Sequence, residues 1–332
     1  ARSSDDGTVN VFFNRCRHRG ATVCQQEYGN ANYFRCAYHG WVYNNKGDLM
    51  GVPFPEGYGE NFDQGKLGLV KAPRVGNYRG FIFGSLSPDG PSLDEHLGNA
   101  RPYIDKFADQ GPEGISVKAG AQKFFYDGNW KMQLENTVDG YHAGFVHASY
   151  FEIMGRRAGR PLNTGPRPRC YVWDLGNGHG VLDIEPDGLK SVQPVRQVNA
   201  GPGFNLTVFP NLALLFSQVR VIQPLAPDRT EVTFYPIRLK GVPEEVNLAR
   251  LREHESFYGP ASFASPDDWE MFRRCQTGFQ ANEPVSGAEW VRLARGLHYE
   301  ETHETGARYS PHNDESSQRA LYRHWKKIMA GD

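Results

Sequence analysis

Two short cysteine–histidine segments restrict this chain more than anything else in it. Cys16-Arg17-His18 and Cys36-Ala37-Tyr38-His39 each offer one thiolate and one imidazole, and residues 19–35 separate them. One reading is a chance pairing in a turn-rich region. A second is a structural zinc site, although zinc halves usually space their ligands by about two to four residues, and a single intervening residue is tight for one tetrahedral ion. The third is a two-iron, two-sulfide cluster in which thiolates hold one iron and imidazoles the other. There each loop has to touch both irons, so a mixed pair on each of two facing loops is what the geometry requires. Replacing two thiolates with neutral imidazoles also removes negative charge and raises the reduction potential.

The context suits such loops. Residues 1–86 carry short β-like runs (Val9–Asn14, Tyr33–Arg35, Trp41–Tyr43, Phe81–Phe83) broken by Gly20, Gly29, Gly47 and Gly51, which predicts a small all-β domain. The residues from Arg2 to Gly7 read as a hairpin turn, so strands upstream of them are expected to be missing. Residues 87–115 read as a helical connector, and 116–332 as an α+β domain. In that domain a helix is expected around Trp130–Tyr150. Strands are expected at Tyr171–Leu175, Gly180–Glu185, Phe204–Phe209, Ala213–Ile222 and Thr230–Arg238, and helices at Pro243–Phe279 (interrupted by Pro260 and Pro266) and Ser316–Met329.

Five cysteines, an odd count without a regular framework, fit a reducing compartment, and a cytoplasmic location is expected. Cys24 falls outside the two segments and is expected to be a buried small hydrophobe. Lys and Arg total 37 against 38 Asp and Glu, so no accumulated positive surface suggests a nucleic-acid partner. No run approaches the 18 or so apolar residues that a membrane helix needs, so no membrane partner is expected either.

A second constellation lies in Glu135-Asn-Thr-Val-Asp139-Gly140-Tyr141-His142-Ala-Gly144-Phe-Val-His147. Asp139 and His142 would lie about 60° apart on an ideal helix, whereas His142 and His147 would diverge by about 140°. Convergence of the two histidines on one ion therefore needs a widened turn or a break, which Gly140 and Gly144 make easier. The alternative is two ordinary histidines near a helix end. The histidine spacing and flanking Glu of a zinc-hydrolase helix are absent.

Together these segments resemble the α subunits of Rieske-type ring-hydroxylating oxygenases. Cys16-Arg-His18-Arg-Gly20 with Cys36-Ala-Tyr-His39-Gly40-Trp41 is similar to their Rieske pattern, and Asp139-x2-His142-x4-His147 to their mononuclear-iron motif. The wording around Asn136–His142 is nearest the benzoate, toluate and anthranilate branch. The resemblance implies a small all-β [2Fe–2S] domain (1–86) followed by a catalytic domain of helix-grip type. The cluster would be held by Cys16, His18, Cys36 and His39, and Fe(II) by His142, His147 and a third carboxylate. For that third position Ser265-Pro-Asp267-Asp268-Trp-Glu270 resembles the family's downstream segment. Asp268 is the choice, with Asp267 and Glu270 as alternatives and helix capping as the purely structural explanation.

The resemblance also implies that Asp139 links His142 to the Rieske His39 of a neighbouring subunit. It implies O2 as co-substrate and electrons from NAD(P)H through a reductase or ferredoxin. The expected assembly is a homotrimer or an α3β3 complex with a small β subunit. The expected product is an arene cis-dihydrodiol. A monooxygenase is the nearest rival, and a Rieske electron carrier without catalysis the more distant one.

Thr137, Val138, Phe145, Val146, Phe204, Leu206 and Phe209 are candidate pocket walls. A carboxylate substrate would need a buried partner, for which Arg196 and Arg220 are candidates, although an exposed position on a strand face is the plainer expectation for each. Leu175-Gly-Asn-Gly178-His179-Gly180 reads as a hairpin turn. His298, His303, His312 and His324 read as solvated. The basic stretch Arg319–Met329 reads as a helix packed on its own domain.

Overall fold

The computed structural model describes residue 1 and residues 6–184, 203–281 and 290–331. The chain divides into two compact units, residues 1–93 and 94–332.

In the first unit, β1 (Tyr33–Arg35), β2 (Val42–Asn44) and β3 (Leu49–Gly51) form an antiparallel sheet, and β4 (Arg74–Tyr78) pairs with β5 (Phe81–Ser85) as a hairpin. Cys16, Cys36, Trp41, Tyr43, Leu49 and Leu69 make a small core. The strand expected at Val9–Asn14 is not formed: the segment makes isolated bridges, among them Phe12 with Lys71.

Helices α1 (Leu93–Leu97) and α2 (Arg101–Ala108) follow. Tyr103, Ile104 and Phe107 of α2 are buried, and the Tyr103 hydroxyl donates to Asp183 at 3.0 Å. Next come β6 (Ile115–Ser116), β7 (Gln122–Tyr126), α3 (Lys131–Thr137), α4 (Ala143–Val146) and α5 (Ala148–Arg157). The expected continuous helix over 130–150 is thus three helices, because the chain leaves helical geometry between Val138 and His142 and again at His147.

Strands β8 (Tyr171–Gly176), β9 (His179–Asp183), β10 (Phe204–Val208), β11 (Leu212–Leu215), β12 (Gln218–Ala226) and β13 (Arg229–Pro236) supply most of a large sheet. They are followed by β14 (Arg238–Leu239), α6 (Glu244–Phe257), α7 (Ser265–Gln280), β15 (Glu301–Thr302), β16 (Arg308–Pro311) and α8 (Ser316–Ala330). The run expected as one strand over 213–222 turns at Phe216–Ser217 and becomes β11 and β12. Asn177 and Gly178 turn β8 into β9 as a hairpin, as its glycines suggested, and both residues have positive φ. Arg196 and the end of the expected 180–185 strand lie outside the described residues.

The nine-stranded sheet runs β15-β16-β8-β9-β10-β11-β12-β13-β7, with every pairing antiparallel. Alternation decides which face is covered. In β13, Val232 and Phe234 share one face and meet Phe124, Ile222, Leu134 and Phe272 in one apolar cluster. Full burial of side chains such as Ile222, Val232 and Phe234 stabilises by about 1.5–3 kcal/mol each. Helix α8 crosses β8 and β9, with Ala320 and Leu321 buried, and so packs on its own domain. This α+β arrangement, a small β-rich unit followed in sequence by a large antiparallel sheet packed with helices, is the one expected. Among the described residues no helix is long and apolar enough to cross a membrane.

Candidate cluster and metal centres

The first unit presents two loops closed by the same backbone bonds. Cys16 N–H donates to Ala21 C=O (2.8 Å) and Gly20 N–H to Cys16 C=O (3.0 Å); Cys36 N–H donates to Trp41 C=O (2.8 Å) and Gly40 N–H to Cys36 C=O (3.0 Å). In each loop the bonds reach four and five residues past the cysteine. Gly20 and Gly40 occupy the equivalent closing positions at φ +80° and +72°, a conformation that disfavours a side chain.

The loops face each other, with the His18 and His39 rings 4.5 Å apart between centroids. Cys16 and Cys36 are buried free thiols. The His18 Nδ1 atom is buried without a partner. Trp41 stacks flat on His18, 5.0 Å between centroids and 4° between planes. The Tyr43 hydroxyl accepts from Arg17 N–H (3.1 Å) and lies 3.2 Å from Cys16 Sγ. Two buried thiols, two facing imidazoles and an orphaned ring nitrogen fit a cluster with mixed ligation. Cys24, expected to be buried, is exposed, and its thiol meets only the Gln26 carbonyl.

The second unit assembles another donor set. One ligand atom from each of His142, His147 and Asp268 lies within 4.8 Å of the others. Asp268 Oδ1 is 3.2 Å from His147 Nε2 and 3.6 Å from His142 Nε2. The widened turn or break expected between the two histidines is not there: helix α4 fills the residues between them, and the chain leaves helical geometry before His142 and at His147 instead. Asp268 arrives from the first turn of α7, and Asn136 holds its Oδ1 with a 3.0 Å hydrogen bond. Asp267 reaches only the far nitrogen of His147, at 3.9 Å, and Glu270 is engaged on the surface with Arg273 and Arg274.

Asp139 sits behind His142. Its Oδ2 is 3.4 Å from His142 Nδ1, while its Oδ1 accepts from the Tyr141 and His142 backbone N–H groups. Burial depresses the His142 pKa, but Asp139 and Asp268 outweigh it and leave the pKa raised. Positive charge is therefore favoured at this point. Two imidazoles and one carboxylate, whose Nε2 and Oδ1 atoms converge on one point, fit a divalent iron with open positions.

A cavity of about 340 Å³ opens on this triad. Leu182, Ile184, Leu215, Phe216, Phe257 and Tyr258 supply much of its wall. Of the expected wall residues only Thr137 lines it; Phe145 is exposed, and Phe204 is buried against Tyr103 instead. His312, expected to be solvated, is buried and lines the cavity. Its carbonyl stands so close to Gly140 that an added Cβ would come within 2.4 Å of it. Arg220 is likewise buried in the cavity wall, not exposed on a strand face. Nothing in the local sequence marks either residue, because the cavity forms from strands and helices far apart in the chain.

Residues 97–331 match the model of the ring-hydroxylating alpha subunit catalytic domain, and residues 2–70 match the Rieske [2Fe-2S] domain. The chain belongs to the ring-hydroxylating alpha-subunit family. It is 36% identical to the 2-halobenzoate 1,2-dioxygenase large subunit of Burkholderia cepacia, over 87% of this chain and 68% of that protein. It is 38% identical to the toluate 1,2-dioxygenase subunit alpha of Pseudomonas putida, over 86% and 70%. Among solved structures, naphthalene 1,2-dioxygenase with indole in its active site superposes with a TM-score of 0.83 at 27% identity, covering 98% of this chain and 79% of that one. The alpha subunit described here is thus a Rieske oxygenase component, with a [2Fe–2S] cluster and a mononuclear iron as its cofactors.

Proposed function

We propose that this alpha subunit cis-dihydroxylates an aromatic carboxylate of the benzoate type, using O2 and electrons from NAD(P)H delivered by a separate reductase or ferredoxin. The observation that carries the reading is one cavity shared by the His142/His147/Asp268 triad and apolar walls. The 2-halobenzoate and toluate relatives, with the anthranilate 1,2-dioxygenase large subunit of Acinetobacter baylyi (33% identity), support the substrate class.

Cys16 and Cys36 are the proposed thiolate ligands of the cluster, and His18 and His39 its imidazole ligands. His142, His147 and Asp268 are the proposed iron ligands. When bound, these groups supply single electrons and an open position for O2 beside the substrate. Asn136 fixes the Asp268 carboxylate, and Asp139 fixes the His142 ring through Nδ1. Leu182, Leu215, Phe216 and Phe257 exclude water around the arene.

Asp139 keeps about a quarter of its side chain exposed, beside the exposed rings of Tyr141 and Phe145. This exposure supports a second role, in which Asp139 also meets His39 of the partner subunit in a cytoplasmic trimer or α3β3 assembly. Asp139→Asn is expected to leave iron content and cluster spectrum intact while turnover falls by about 100-fold or more. Turnover within a few-fold of wild type would end the bridge assignment.

The product class has its own test. Reconstituted with reductase under 18O2, the enzyme is expected to place two labelled oxygens on benzoate. One labelled oxygen would favour a monooxygenase, the reading supported by the N,N-dimethyl phenylurea N-demethylase subunit alpha of Sphingobium sp. (29% identity).

A further inference from the structure

Arg220 lies in β12 with its side chain almost fully buried. Its guanidinium sits 4.2 Å from the centre of the Phe234 ring and 5.2 Å from that of Tyr258. Rings stacked on a guanidinium occupy its faces and leave the N–H fork, which lies in the plane, free to bond. Among the described residues that fork has no hydrogen-bond or ion-pair partner, and Nε is fully shielded from solvent.

Other buried or half-buried arginines of the same unit are paired. Arg319 and Arg323 bind Glu300, and Arg250 donates to Gln110. A buried cation left without a counter-charge is costly, so its position calls for a ligand. Arg220 lines the same cavity as the metal triad. Among the described residues no carboxylate stands within ion-pair distance of it: Asp268 of the triad acts on it only from farther off, the Tyr258 phenol is held protonated by burial, and the pKa of His254 is pushed down to about 4 by burial and by Arg220 itself.

We propose that Arg220 is the specificity residue of this cavity, receiving the carboxylate of an aromatic acid in its free N–H fork while the ring occupies the apolar space beside the metal triad. This inference rests on the aromatic-carboxylate reading given above. It adds the residue that enforces it: a neutral arene would leave the guanidinium unpaired, whereas a carboxylate accepts a bidentate, charge-assisted bond.

The test compares calorimetric binding of benzoate and toluene to iron-loaded holoenzyme, with melting temperatures, for wild type, Arg220→Met and Arg220→Lys. Wild type is expected to prefer benzoate. Arg220→Met is expected to lower the benzoate-to-toluene affinity ratio by roughly 100-fold. It is also expected to raise the melting temperature, because an apolar chain replaces a lone buried charge. Arg220→Lys, which keeps charge but loses the planar fork, is expected to lower the ratio by about 10-fold, and it decides the matter should Arg220→Met fail to fold.

An unchanged ratio in the variants, or a fall in melting temperature with the benzoate preference intact, would make Arg220 a structural residue and overturn the inference alone. Wild-type enzyme that neither binds nor oxidises any aromatic carboxylate would overturn the substrate class, and the role of Arg220 with it.

Discussion

The two centres of this molecule are built in opposite ways. The cluster loops are local: each is closed within six residues by its own backbone, and the two share one bonding pattern. The iron site is assembled from distance. His142 and His147 flank a four-residue helix, and the third proposed ligand, Asp268, comes from another helix far along the chain. A centre made of closed turns tolerates change elsewhere in the fold, whereas one made of converging elements registers it.

The sharpest way to break this contrast is Asp268→Ala. The variant is expected to lose the mononuclear iron and at least 1,000-fold of turnover while the cluster's visible absorption and EPR signal stay at wild-type intensity. Loss of the cluster signal as well would show that the two centres are not independent.

Acid should separate the units next. His179 is fully buried in the second unit, its Nε2 donating to His96 C=O at 2.7 Å and its Nδ1 accepting from Phe209 N–H at 3.0 Å. Burial pushes its pKa down to about 3. The unfolded chain takes up this proton below pH ~6.5, the folded chain only near 3, so stability is complete above 6.5 and is lost as pH falls. The expected loss is about 1.4 kcal/mol per pH unit, or roughly 2 kcal/mol by pH 5. Near-UV circular dichroism during denaturant titration measures it. A flat profile between pH 6.5 and 5 in wild type would refute this assignment.

The smallest effect sharpens the comparison from the cluster side. The Tyr43 hydroxyl beside Cys16 Sγ favours the more negative, reduced state, so Tyr43→Phe is expected to lower the cluster potential by roughly 50 mV without loss of iron. Protein-film voltammetry reads it directly, and an unchanged potential would remove that hydroxyl from the tuning of the centre.

The same contrast explains what was legible in the sequence. Cys16, His18, Cys36 and His39 could be read because spacing and closing glycines are properties of contiguous residues. The break expected between His142 and His147 lies elsewhere: helix α4 spans the residues between them, and the interruptions fall before His142 and at His147. The cavity walls were misread because Phe145, beside the motif in sequence, points to solvent, Phe204 of β10 points to the core, and Leu182, Leu215 and Phe257 carry no mark of their destination. His312 and Arg220 were misjudged for the reverse reason. Polar composition suggests exposure, and only the sheet's register and the approach of Gly140 to His312 bury them.

One contact described by neither motif carries a further consequence. The Ser317 hydroxyl at the start of α8 donates to the Val138 carbonyl at 2.8 Å, next to Asp139, and buried Arg319 anchors that helix to Glu300. In the order of synthesis α8 follows His142, His147 and Asp268, which all precede it in the chain. The loops of the first unit can close while translation continues, but the segment carrying His142 and His147 gains the Ser317 contact only when α8 has been made. Stable iron binding by His142, His147 and Asp268 is therefore expected to await the synthesis of α8.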